Sequence, residues 1–67
     1  MAKSITITLT EDEAEIIVDA LENDRDSYTE SADDARKEGD RQSAESFREA
    51  AKRISDVLSR VRAELED

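Results

Sequence analysis

Carboxylates are the side chains best placed to do chemistry in this sequence. Asp12, Glu15, Asp19, Glu22, Asp26, Glu30 and Asp33 recur at spacings of three and four residues, which on a helix sets them along one face. Such a face attracts a basic protein or imitates the phosphates of a nucleic acid. Like charges four residues apart destabilise a helix by about 0.2–0.5 kcal/mol per pair, so a basic partner would relieve repulsion already present. The same stripe also reads as a solvated face, partly neutralised by Arg48, Arg53, Arg60 and Arg62 in the second half of the chain. Exposed ion pairs of that kind contribute only about 0–1 kcal/mol each, and both readings stand at this point.

Other reactive groupings are sparse. Asp24, Asp26 and Glu30 are spaced somewhat like a calcium loop, but no Gly stands at the sharp-turn position and the segment has helical character. The chain has no Cys and no His, so the usual ligands of a structural zinc site are missing. Tyr28 and several Ser and Thr hydroxyls could act as nucleophiles only beside a base, and no His is present to serve. There is no Gly-rich loop to hold a phosphate, and Tyr28 falls on a core stripe. The expectation is therefore a protein without catalytic residues, metal or cofactor.

The elements that would position these groups are legible from periodicity. Residues 4–10 alternate Ile or Leu with Ser or Thr, the pattern of a half-buried strand over 4–9. Thr10-Glu11-Asp12-Glu13 is a capping box, with acids suited to the positive end of a helix dipole. A first helix over 11–37 carries Ala14, Ile17, Val18, Leu21, Tyr28, Ala32 and Ala35 on one stripe, with a weak stretch near Asn23–Ser27. A turn follows at 38–40, where Gly39 can adopt the left-handed conformation that ends a helix. A second helix over 41–65 has a heptad-like seam of Ala44, Phe47, Ala51, Ile54, Leu58, Val61 and Leu65.

Folding the two stripes about Gly39 sets Ala35 against Ala44, Ala32 against Phe47, Leu21 against Leu58 and Val18 against Val61. Only Arg25 opposite Ile54 breaks the match, and its aliphatic stem can cover Ile54. The expected fold is mainly α: a short N-terminal strand and a long antiparallel helical hairpin, one domain over residues 1–67.

A chain of 67 residues buries little core on its own, and without disulfides or metal the remaining support is self-association. A lone strand also needs a neighbour for its backbone groups. Ile5, Ile7 and Leu9, together with Ile16, Ala20 and Val57 off the hairpin seam, form the expected dimer interface. Two strands would pair as an antiparallel ribbon, and two hairpins would form a four-helix arrangement. No apolar run approaches the roughly 20 residues needed to span a bilayer. With no apolar centre of a signal peptide near the N-terminus, a cytoplasmic protein is expected.

The strand-then-helix opening, with Thr6 and Thr8 on the outer face, resembles ribbon-helix-helix repressors and antitoxins. Gln42–Ala50 (QSAESFREA) resembles the start of that family's second helix. This resemblance implies a DNA-binding dimer whose ribbon enters the major groove. The sequence departs from that pattern in two ways. The segment between the two stretches is long and continues the first helix, and Lys3 is the only base near the strand, where DNA binding needs a basic footprint. The strand, the capped helix, the Glu38-Gly39-Asp40 turn and the excess of Arg over Lys are together similar to small acidic helical proteins of tailed phages with high-GC hosts. That resemblance implies a protein acting by binding a host protein.

Net charge is −9, of which residues 1–38 carry −8 and residues 39–67 carry −1. The functional expectation is a non-enzymatic, homodimeric protein–protein interaction module whose acidic helix-one face meets a basic partner. The alternative is a nucleic-acid-related regulator, either a ribbon-helix-helix binder or an acidic DNA mimic. Direct nucleic-acid binding is disfavoured by the charge, and no membrane association is expected.

Overall fold

The computed structural model describes residues 3–66. They form two antiparallel helices, α1 (Glu11–Lys37) and α2 (Arg41–Leu65), packed as a hairpin 43 × 28 × 16 Å in extent. The length follows from the 27 residues of α1, which at 1.5 Å per residue make a rod of about 40 Å.

Each helix end has an identifiable cause. At the start of α1 the Glu13 amide donates to Thr10 Oγ1 at 3.1 Å, and the Thr10 amide donates to Glu13 Oε1 at 2.9 Å. This capping box satisfies two amides that the helix itself leaves free. At the far end Gly39 adopts φ 83°, the left-handed conformation that an L side chain would resist. Its amide donates to Arg36 O at 3.1 Å, and the Asp40 amide donates to Ala35 O at 2.9 Å. These two bonds make a Schellman ending. Asp40 then starts α2, its carboxylate accepting from the Ser43 amide at 3.1 Å. One residue thus closes the first helix and caps the second, which keeps the connection short.

The weak stretch expected near Asn23–Ser27 is not an interruption, because α1 is continuous through it. There Thr29 Oγ1 donates back to Arg25 O at 2.9 Å.

The buried residues are Ala14, Ala32, Ala35, Ala44 and Leu58, all on the two seam stripes. Their neighbours on the stripes, including Ile17, Val18, Leu21, Ile54, Val61 and Leu65, are only half-buried. Near the turn, Tyr28 and Phe47 form a tilted ring pair with centroids 6.1 Å apart. Tyr28 lies on α1 and Phe47 on α2, so the ring pair bridges the two helices. The core is thus thin: alanines hold the turn half close, and among the described residues Leu58 is the only large side chain removed from water almost completely, at 1 % exposure.

The expected strand over 4–9 is not formed: residues 3–10 carry no regular secondary structure. A strand exists only where its backbone groups pair with another extended segment, and the described residues contain none. The alternation of Ile and Thr therefore finds no sheet within one chain.

Candidate interaction surfaces

Two surfaces stand out, one apolar and one acidic. The apolar surface begins with the N-terminal segment, where Ile5 is 78 % exposed, Ile7 67 % and Leu9 38 %. Ile16 on α1 and Val57 on α2 add side chains that are 68 % and 45 % exposed. Ala20, one turn after Ile16, is exposed as well. All six expected interface residues thus lie in contact with water in the single chain. Their exposure follows from position. Ile16, Ala20 and Val57 sit off the stripes that face across the hairpin, and the N-terminal segment has no sheet to join.

The structure adds partners that periodicity alone did not single out. Ile7, Thr8 and Leu9 border a shallow cleft of about 370 Å³ at the open end of the hairpin, with Ala14, Val61 and Leu65 among its other lining residues. The N-terminal segment therefore runs beside the last turns of α2, and the seam residues of that end belong to the same apolar surface. The sequence signal for this was present but ambiguous. Val61 and Leu65 fit the hairpin seam, yet both are only half-buried.

The acidic surface is carried by α1. Asp12, Glu15, Asp19, Asp26, Glu30 and Asp33 are exposed, and Glu22 is half-buried. Among the described residues two ion pairs involve this face. Arg62 on α2 reaches across the hairpin to Glu22, and Arg25 approaches its neighbour Asp26 at 3.4 Å. Arg48, Arg53 and Arg60 make no ion pair with the stripe, so the neutralisation expected from α2 reduces to Arg62. The remaining carboxylates face water. No group of three or more acidic residues among those described is arranged to hold a metal ion. No helix among them is long and apolar enough to cross a membrane.

No protein-family model matches this chain, and no match is found among curated proteins or among solved structures.

Proposed function

We propose that this chain is a non-enzymatic interaction module that pairs with a second copy through its N-terminal segment and offers the acidic face of α1 to a basic protein. The observation that supports pairing is surplus surface. Folded monomers of 7.5 kDa expose about 4,200 Å² by the scaling of surface with mass, whereas this chain exposes 5880 Å². The difference exceeds the roughly 800 Å² that each partner contributes to a stable interface. Part of it is apolar side chain at Ile5, Ile7, Leu9, Ile16 and Val57.

A two-fold dimer uses that surface economically. Two N-terminal segments running antiparallel give each other the backbone partners a lone strand lacks. The same operation brings Ile16, Ala20 and Val57 of both copies toward a shared four-helix core. The acidic face lies on α1 away from the hairpin seam, and Asp12, Glu15, Asp19, Glu30 and Asp33 hold no ion pair among the described residues. A basic partner would meet carboxylates that are already aligned along one helix face.

Light scattering on a sizing column at low and high salt tests the pairing. A dimer at both salts is expected, because apolar burial is insensitive to screening. A well-folded monomer at both would overturn it and leave the apolar surface as a site for a different protein. A gel shift with duplex DNA at low salt tests the alternative, and retardation would favour a DNA-binding role over this one.

A further inference from the structure

Arg36, Arg41 and Arg48 line one open cleft at the turn end of the hairpin, together with Gly39, Ala44 and Glu45. The cleft has a volume of about 610 Å³ and lies at the end of the molecule opposite the N-terminal segment. All three arginines are exposed.

Their grouping runs against two local expectations. First, the chain holds nineteen acids and ten bases, so an arginine should find a carboxylate readily. Among the described residues only Arg25 and Arg62 do, and the three cleft arginines remain without an ion pair. Second, helix electrostatics accounts for only one of them. Arg36 suits the negative end of α1. Arg41 sits in the first turn of α2, where the dipole disfavours a cation, and that turn contains no acid, against three in the first turn of α1. The Asp40 carboxylate is engaged with the Ser43 amide and is not among the residues lining the cleft.

We infer that this cleft is a binding site for a phosphate group. Three guanidinium groups against the one carboxylate of Glu45 leave it with a formal charge of +2, which matches a phosphate carrying about −1.5 to −2 near neutral pH. Guanidinium forks suit phosphate oxygens geometrically. The ligand is compact, because a chain of net charge −9 repels an extended polyanion. A single phosphate avoids most of that repulsion, which is screened beyond about 8 Å at physiological salt. The group could be free phosphate or the phosphate of a small monoester, and the experiment separates these sources.

Inorganic phosphate and phosphoserine are each titrated into the intact protein at constant ionic strength, and backbone amide NMR shifts are followed from Gly39 to Ala44. Saturable shifts are expected with at least one of them. Tighter binding of inorganic phosphate identifies a free-anion site, and tighter binding of phosphoserine identifies a monoester site. Arg41→Gln and Arg48→Gln should each weaken binding by roughly three- to tenfold, the range of one lost hydrogen bond of ordinary net strength at an exposed site, while Arg60→Gln leaves it unchanged. Shifts that chloride reproduces at matched ionic strength, or weakening by Arg60→Gln equal to that by Arg41→Gln, would overturn the inference. Absence of saturation through the millimolar range would do the same. Competition by sulfate on the wild-type protein, which is expected to displace phosphate, provides a readout that does not depend on the variants folding.

Discussion

Replacing Ile5 and Ile7 together by Ser should convert the proposed dimer to a monomer without unfolding the hairpin. Both side chains stand mostly in water in the single chain, at 78 % and 67 % exposure, so the monomer loses little when they go. Complete burial of an isoleucine stabilises by about 1.5–3 kcal/mol. Pairing would recover most of that, about 1–2 kcal/mol per side chain. A two-fold interface buries the pair from both copies, so the double replacement removes about 4–8 kcal/mol of association free energy. That corresponds to at least about three orders of magnitude in Kd. Sedimentation across a dilution series measures the constant, and far-UV circular dichroism verifies that helicity is retained. A second signature is available: the wild-type melting temperature should rise with protein concentration, and that of the double variant should not. A variant that stays dimeric with an unchanged constant would refute the assignment of the interface. A variant that loses its helices would refute the claim that the hairpin stands without the N-terminal segment.

Further predictions concern the hairpin itself. Leu58→Ala removes the one large side chain among the described residues that is almost fully buried and should cost about 2–4 kcal/mol, read as a lower urea midpoint; a loss under ~1 kcal/mol would mean that the seam is packed differently. Asp19→Asn relieves repulsion with Glu15 and Glu22, and should stabilise the fold by about 0.5 kcal/mol at low salt, with a gain that shrinks as salt rises. The same substitution should weaken binding of a Lys-rich peptide, and unchanged affinity would count against the acidic face as a docking surface. Asp40 has its pKa lowered from 3.8 by its hydrogen bonds with Ser43. Because the folded value lies below the unfolded one, its contribution is fully present above about pH 4 and is lost as pH falls through the folded value. The difference in melting temperature between the wild type and Asp40→Ala should therefore be constant near neutrality and close under acid, and a difference independent of pH would show that the carboxylate's charge is irrelevant to the cap.

Helix chemistry was legible in the sequence because it is local. The Thr10–Glu13 capping box, the left-handed Gly39 and the paired stripes each depend on residues within a few positions, or on a spacing that repeats. All of the buried residues fall on stripes that the spacing picks out. The N-terminal segment was not legible in the same way. Its Ile–Thr alternation specifies a preference for extended pairing, while a strand also requires a partner, and the described residues supply none. Residues 3–10 accordingly carry no strand. The charge pattern was ambiguous for a different reason. Long side chains choose partners by small energies, so the spacing of Arg48, Arg53, Arg60 and Arg62 could not identify Arg62 as the one that reaches Glu22. The same weakness hid the cleft at the turn, since Arg36 and Arg41 border one cleft only because Gly39 and Asp40 reverse the chain between them.

The two ends of the hairpin are held by unlike physics, and this bears on why an exposed N-terminal segment is retained. At the turn, alanines let the backbones approach, and the Schellman bonds and the Asp40 cap satisfy the amides of both helix ends. That end needs nothing from outside. At the open end, Ile17, Val18, Val61 and Leu65 are only half-buried, and α2 stops at Leu65 with a single basic residue, Arg62, in its last turn. Arg62 is also committed to Glu22, in an exposed pair that contributes about 1 kcal/mol at most. Helix ends with little apolar cover open at low free energy. Ile7 and Leu9 border the cleft at this end beside Val61 and Leu65, and both remain substantially exposed, so they leave the cover incomplete. In the proposed dimer, the same side chains that join the two copies also close the loose end of each hairpin. Association and ordering of the open end would then be one equilibrium, an arrangement suited to a small chain with no cysteine to hold its weaker half by a disulfide.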